Sequence, residues 1–285
     1  MKHLSQLINV FLVGALVMGC EKNETEPIDQ KLDDICTKMT DVVLKRTCIE
    51  KFDYNKDGKV SSEEAELITE LKIFDVKNMD GIEYMPNLRN LDVSSKSLVK
   101  LDVSSNTALK YLDCSSCKIT GLDLSKNTEL VSLSCQYNEI ESLDLTNNKQ
   151  LSKVSCSNNP IKKVNLSGLN NLISFTCSEG NLSELNLTGC NKLTDLVIYK
   201  NKLTSLDVST CSKLNRVICQ ENLLTTLDLS YCDLPSLKSD ILVPLKCNDM
   251  PTLKTLYLKT GWNIIYITYN RSSKYIPDET EVLFK

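Results

Sequence analysis

The stretch LVSLSCQYNEIESLDLTNNKQ, residues 130–150, decides the fold of this 285-residue chain. The same apolar spacing occurs twice within it, at Leu130, Leu133 and Cys135 and again at Ile140, Leu143 and Leu145. Residues two apart in a strand point to the same side. Each half of the stretch therefore predicts a short strand with one buried face.

The 21-residue unit recurs seven times in phase from residue 88, without an insertion. Its leading residues are Leu88, Leu109, Leu130, Leu151, Leu172, Leu193 and Leu214. One such unit, called a coil below, cannot bury its apolar face alone, so several must stack. Because each coil carries two strand motifs, we expect two parallel sheets and little helix, with a stack of roughly 34 Å at about 4.8 Å per coil.

This pattern resembles the leucine-rich repeat family, in the nested variety whose half-repeats of ten and eleven residues alternate, over residues 88–237. A looser, internalin-like turn precedes it. The resemblance implies a right-handed, β-rich leucine-rich repeat solenoid with parallel sheets over residues 71–237. Residues 238–285 break the period, and because an open coil exposes unpaired strand edges we expect them to form a C-terminal cap. It also implies binding of other macromolecules through exposed strand faces.

Two sets of polar residues recur at fixed positions of successive coils, and such a set is called a column below. One contains Asn138, Asn159, Asn201 and Asn222, and the resemblance implies that these side chains bond the backbone of the neighbouring loop. The other contains Asp102, Asp123, Asp144, Asp207 and Asp228, with Asn165 and Asn186 in its middle. We expect a solvated structural column there, and a track for cations or sugars is the alternative.

Most of the 13 cysteines also follow the repeat. Five of them occupy an inward position and three share a second column: Cys114, Cys135, Cys156, Cys177 and Cys219, then Cys190, Cys211 and Cys232. Stacked side chains run parallel and do not converge as a disulfide requires, so we predict mostly free buried thiols. Cys36 and Cys48 would lie roughly 18 Å apart on one straight helix.

Residues 53–64, DYNKDGKVSSEE, resemble the EF-hand calcium loop at every ligand position. The implied ligands for Ca²⁺ are Asp53, Asn55, Asp57, the Lys59 carbonyl, Ser61 and Glu64, with Gly58 at the sharp turn. The apolar spacing before the loop predicts an amphipathic helix over residues 32–52, and residues 32–70 form the expected helical cap. A lone hand typically binds at about 10⁻⁴–10⁻³ M, which indicates a structural calcium.

The N-terminus predicts export. A short apolar run over residues 7–18 follows Lys2 and ends in VMGC, residues 17–20. It is typical of a signal peptide over residues 1–19, and VMGC resembles the bacterial lipobox, which implies a lipid on Cys20. The alternative is a plain signal peptide with a chance cysteine. Residues 20–31 would be a flexible tether on a lipoprotein anchored to the outer membrane or cell surface.

The composition and charge of the chain exclude several classes of function. The net charge is −4, from 33 basic and 37 acidic residues, which gives no footprint for nucleic acid. The only histidine is His3, so His-dependent nucleophile systems and His-ligated zinc are excluded from the body of the chain. No phosphate loop or nucleophile elbow is present, so we predict that the protein is not an enzyme.

Two functions of different class follow. The first is a surface protein that binds a protein or glycan partner, and the second is an envelope spacer or assembly protein without a specific ligand. The most irregular outward positions favour the first and mark the predicted ligand patch: Tyr137, Val197, Tyr199, Arg216, Ile218 and Gln220. The oligomeric state, the membrane leaflet and the ligand stay open.

Overall fold

The computed structural model describes residues 33–232, 245–260 and 280–285. The predicted signal peptide (residues 1–19), the lipid site Cys20 and the tether (20–31) lie outside these residues, as do parts of the predicted C-terminal cap. The described chain is a β-solenoid of about seven turns with parallel sheets and few helices, as the repeat predicted.

The N-terminal unit is helical but is not built on the one long helix that we predicted. It consists of a 3₁₀ turn, Ile35–Thr37, then helix α1, Val42–Phe52, and a one-turn helix α2, Ser62–Ala65. The prediction of a helix over 32–52 is therefore wrong in its first ten residues. Two aspartate side chains cap separate helical segments. Asp34 accepts a bond from the Cys36 amide, and Asp41 accepts bonds from the Val43 and Leu44 amides.

This break changes the relation of Cys36 to Cys48. The two thiols do not lie on one straight helix, so the separation of roughly 18 Å does not apply. Both side chains are buried in one apolar core, and burial raises the pKa of each to about 12.

The first half of each coil contributes to a nine-stranded parallel sheet. Its strands in spatial order are β1 Glu70–Phe74, β2 Asn90–Ser94, β3 Tyr111–Asp113, β4 Ser132–Ser134, β6 Lys153–Ser155, β8 Ser174–Thr176, β10 Asp195–Val197, β11 Arg216–Ile218 and β13 Leu245–Lys246. The register follows the repeat, since Leu112 pairs with Leu133 and Leu133 with Val154. In β2 the buried residues are Leu91 and Val93. In the six three-residue strands of this sheet, from β3 to β11, the central residue faces the core and is buried.

The second half of the coils forms strands only in places. One three-stranded parallel sheet contains β5 Leu143–Asp144, β7 Lys163–Asn165 and β9 Glu184–Asn186. Another contains β12 Thr226–Asp228, β14 Thr255–Leu258 and β15 Glu281–Phe284. In the described residues, then, the expected second sheet is divided into two short sheets. A further 3₁₀ turn, Ile82–Tyr84, lies between β1 and β2.

The described part of residues 238–285 continues both halves of the solenoid. Strand β13 pairs with β11 in parallel, with Leu245 opposite Val217, so the period lengthens there from 21 to 28 residues (245 − 217). Strand β14 pairs with β12, and β15 pairs with β14, also in parallel. These strands add backbone pairing in the direction in which the coils already stack.

The asparagine column joins successive coils through buried side chains. The Asn159 amide nitrogen donates to the carbonyls of Cys135, one coil earlier, and Cys156 of its own coil. Its amide oxygen accepts a bond from the Ile140 N–H at 3.0 Å. Asn138, Asn201 and Asn222 make the equivalent bonds, so the role expected for this column is confirmed.

In six successive coils, the residue just before the turn position of this column has a left-handed backbone; in two of them Cys117 and Gly180 take the place of asparagine. The φ angles lie between 53° and 60° at Ser116, Tyr137, Asn158, Glu179, Lys200 and Glu221. Such a conformation is unfavourable for a residue with a side chain. Its recurrence at intervals of one coil shows that the turn geometry is imposed by stacking.

A second column links the other turns and changes chemistry along the stack. Asn127 donates to the carbonyls of Val103 and Asn106, and in a later coil the Cys190 thiol donates to the Leu166 carbonyl at 3.2 Å. A thiol thus takes the place of an amide as donor. The twelve described cysteines are all buried as predicted, and burial raises the pKa of Cys190 and Cys219 to about 12. Such thiols stay protonated at neutral pH and are poor nucleophiles.

Asp41 connects the helical unit to the turn that follows β1, ahead of the first coil. One of its carboxylate oxygens caps α1, and the other accepts a bond of 2.7 Å from the Lys77 amide. Burial by itself would raise the pKa of Asp41, but the bonds from the amides of Lys77, Leu44, Val43 and Asn78 outweigh burial and lower it. The carboxylate therefore stabilises the fold most when it is charged.

We predict that Asp41→Ala lowers the free energy of unfolding by about 2 kcal/mol, because it removes a helix cap and leaves the Lys77 amide without its acceptor. The difference from the parent protein should be full at pH 7. It should shrink as the pH falls below the ordinary aspartate value of 3.8 and through the lowered pKa of Asp41. Urea unfolding measures both. Asp33→Ala, at an exposed carboxylate, is the control, and equal stability of the Asp41→Ala and parent proteins at pH 7 would contradict the prediction.

Candidate functional site

The outward side of the nine-stranded sheet, called the sheet face below, is the broadest candidate binding surface. Burial alternates along its strands, so the first and third residues of each short strand point away from the core. These outward residues differ from coil to coil although the inward ones repeat. The sheet face can therefore distinguish one binding partner from another, whereas the repeating core cannot.

The N-terminal end of the sheet face is acidic and aromatic. Tyr111 is 51% exposed, and Asp113 stands two residues further on the same strand. In the neighbouring strands Lys72 forms an ion pair of 2.6 Å with Asp92. A shallow cleft of about 240 Å³ lies over this region. The next strands carry small hydroxyl residues, among them Ser132, Ser134 and Ser155.

The C-terminal end contains most of the predicted ligand patch. Arg216 lies opposite Asp195 and bonds it at 2.8 Å. The Tyr199 hydroxyl donates to Glu179 at 2.8 Å, and this bond is the main reason why the pKa of Tyr199 is raised. Both contacts run between neighbouring coils and hold the two side chains in defined positions at the surface.

The other patch residues are placed differently. Val197 is half-buried beside Ile218, but Ile218 is only 5% exposed, so the expectation of an exposed apolar side chain does not hold there. The physical reason is the added strand β13, whose Lys246 lies opposite Ile218. Gln220 is half-buried, and among the described residues its side-chain oxygen finds no hydrogen-bond partner. Tyr137 is 57% exposed, three coils before the coil of Tyr199.

The loop over residues 53–64 is closed on itself by backbone bonds to its oxygen-bearing side chains. Asp53 accepts bonds from the Asp57 and Gly58 amides, and Asn55 accepts a second bond from Asp57. Glu64 reaches back across the loop and accepts a bond of 2.8 Å from the Tyr54 amide. Gly58 has φ of 85°, the conformation expected at this position.

Glu64 is the most enclosed member of the set, at 7% exposure. The bond from the Ser61 amide is the main cause that lowers its pKa, so the carboxylate is held in its charged form. The donor set of carboxylate, amide and carbonyl oxygens has the chemistry that Ca²⁺ prefers. Across the described ranges, however, no group of three or more His, Cys, Asp or Glu side chains is gathered as a metal site.

The loop has a structural partner within the chain. Val60 accepts a bond of 2.8 Å from the Ile35 amide, and the Val60 amide donates to Asp34 at 3.2 Å. These bonds attach the loop to the segment before α1. The position of Asp34 was not anticipated from the sequence, because nothing in the spacing links it to a residue 26 positions away.

By fold, the chain is a leucine-rich-repeat solenoid. It is similar to the functional domain of InlJ from Listeria monocytogenes, a domain described as including a cysteine ladder, with a TM-score of 0.66 and 24% identity over 90% of this chain. The match spans 62% of the InlJ domain.

A more distant similarity is to the leucine-rich-repeat ectodomain of the plant receptor kinase GASSHO1/SCHENGEN3 from Arabidopsis thaliana, solved in complex with CASPARIAN STRIP INTEGRITY FACTOR 2. Its TM-score is 0.51 and its identity 18%, over 78% of this chain and 27% of that one. No protein-family model and no curated protein sequence matches the chain. In the part of the chain that the structure describes, no helix is long and apolar enough to cross a membrane.

Proposed function

We propose that this protein is an exported lipoprotein of the cell envelope whose solenoid binds a partner protein through the sheet face. The observation that carries the proposal is the contrast between a strictly repeating core and a non-repeating outward surface on the same strands. A core requires regular apolar residues, but nothing in stacking requires Tyr111, Lys153 or Arg216 to differ. The solenoid fold shared with the InlJ domain and the receptor ectodomain supports this choice.

The contact area that we favour is the C-terminal end of the sheet face. Tyr and Arg are enriched at protein interfaces, and here Tyr199 and Arg216 are already oriented by Glu179 and Asp195. Their fixed positions reduce the entropy lost on binding. The alternative, an envelope spacer, is favoured by the small hydroxyl residues in the middle of the sheet face, among them Ser132, Ser134 and Ser155.

The test is a binding screen of the soluble chain from residue 21 against extracellular-matrix proteins and glycans. We predict a specific protein partner, and about tenfold or weaker binding for the double variant Tyr199→Ala, Arg216→Ala. Lys202→Ala, an exposed change in the same coil, should bind like the parent. A specific partner that binds the double variant normally would place the contact elsewhere, and the absence of any partner would favour the spacer.

A calcium ion at residues 53–64 forms part of the proposal. The ligands would be Asp53, Asn55, Asp57, the Lys59 carbonyl, Ser61 and Glu64, and the ion would stabilise the helical unit at the start of the solenoid. The support is the donor chemistry, the closed loop and the positive φ of Gly58.

We predict that calcium raises the melting temperature of the parent protein and leaves that of Asp53→Ala unchanged. At a calcium concentration ten times Kd the stabilisation should be about 1.4 kcal/mol. Calorimetry with calcium and with a chelator measures it, and Glu66→Ala, an exposed acidic residue outside the loop, is the control. Identical melting of the parent protein in both conditions would eliminate the calcium site.

The lipid anchor on Cys20 is the remaining element of the proposal, and it rests on the VMGC sequence alone. We predict that the mature protein begins at Cys20, carries a lipid and fractionates with membranes, whereas Cys20→Ser is released in soluble form. Intact mass and fractionation of both proteins decide this. A mature parent protein with an unmodified Cys20 would indicate a plain signal peptide.

A further inference from the structure

A groove of about 540 Å³ crosses the second half of three successive coils, away from the strands of the sheet face. Its lining includes the apolar residues Leu101 and Leu122 and the acidic side chains of Asp102, Asp123 and Asp144. Lys100 and Ser142 also line it. The groove thus combines an apolar floor with a row of three carboxylates.

The groove lies where one column carries the short residues Gly121 and Ser142. In successive coils this column reads Lys100, Gly121, Ser142 and Lys163. Among the described residues, chain neighbours apart, a Cβ atom placed on Gly121 would meet no atom within 4 Å, and the φ of Gly121 is not positive. Neither packing nor backbone conformation therefore requires glycine there. The lysines at the same position of other coils show that a long side chain is compatible with the fold.

The carboxylate charges are also not required by the fold. Asp102, Asp123 and Asp144 each accept a bond from the backbone amide two residues later, at 2.9–3.0 Å, and a further bond from the hydroxyl of that same residue. Asn165 and Asn186 occupy the same column and accept the equivalent bond, at 3.1 and 3.0 Å. An asparagine can therefore accept the backbone bond that this position requires without carrying a charge.

Three neighbouring carboxylates repel one another at the spacing of parallel strands, about 4.8 Å. Their amide bonds lower the pKa of all three, so they are charged at neutral pH. The repulsion could be avoided with asparagine, and it is avoided in the next two coils. Three of the five aspartates of this column lie in the coils that form the groove, and the other two, Asp207 and Asp228, lie outside it.

We propose that this groove is a second docking site, which binds a basic, extended segment of a partner protein. A lysine or arginine side chain fits both features, because its aliphatic stem can lie on Leu101 and Leu122 while its cationic end meets the carboxylates. A bare metal ion would use the carboxylates but not the apolar floor. The site is separate from the sheet face, so the proposal of this second site does not depend on the proposed function.

The test measures binding of a fluorescent oligolysine peptide to the soluble chain by anisotropy at low ionic strength. The triple variant Asp102→Asn, Asp123→Asn, Asp144→Asn should bind about tenfold or more weakly, since each exposed charge pair contributes modestly. Asp207→Asn removes a charge from the same column outside the groove and should bind like the parent. Equal binding by the triple variant and the parent would overturn the proposal.

A second pair of variants tests the groove itself. Gly121→Lys should fill it with a cation and abolish binding, whereas Ser205→Lys makes a comparable change at the same column outside the groove and should not. Unchanged melting temperatures would establish that all variants fold. Equal losses from Gly121→Lys and Ser205→Lys would mean attraction to net charge alone and would refute a site.

Two further outcomes separate the ligand classes. Millimolar calcium that displaces the peptide from the parent, with calcium binding lost in the triple variant, would make the groove a cation site and refute peptide docking. Normal peptide binding by the Tyr199→Ala, Arg216→Ala variant would support a site independent of the sheet face. Loss of peptide binding in that variant would contradict it.

Discussion

The structure depends on one constraint: every coil must present its backbone in register to the coils before and after it. Parallel pairing at a constant 21-residue interval satisfies the backbone along the sheet, and asparagine side chains satisfy it in the turns. Asn138 and Asn159 each bond the carbonyl of a cysteine one coil earlier. Because a buried, unpaired backbone group is costly, a shift of one coil would disturb several neighbours at once.

This constraint divides the residues of a coil into those that stacking requires and those that it leaves free. Inward positions must be apolar. Most turn positions supply a donor, such as the amide of Asn127 or the thiol of Cys190, although the buried Leu169 occupies the same column. The aspartate column shows both kinds of property in one side chain. Asn165 accepts the same bond from the amide two residues later as Asp144 does, so this bond does not depend on the charge. The oxygen acceptor is structural, and the charge is available for function.

Much of the fold could be predicted from residue spacing because repeats stack by local, identical contacts. The column of asparagines and the buried cysteines were predictable for the same reason. The prediction of one helix over residues 32–52 was wrong because capping decides where the helical segments begin. Asp34 and Asp41 each cap a separate segment, and Asp41 also accepts a bond from the Lys77 amide. The sequence does not reveal a competition between a local helix and contacts some 36 residues away.

For the candidate surfaces, the sequence by itself determined which positions point outward, because the alternation of side chains in a strand is a local property. It also showed where the outward residues depart from the repeat, as at Tyr199 and Arg216. Only the tertiary structure decided how exposed these positions are. It covers Ile218 with strand β13, and it aligns Gly121, Leu101 and Asp123 as one groove. The physical reason is that exposure and concavity depend on what the neighbouring coils place alongside, and the 28-residue step before β13 is not set by the repeat.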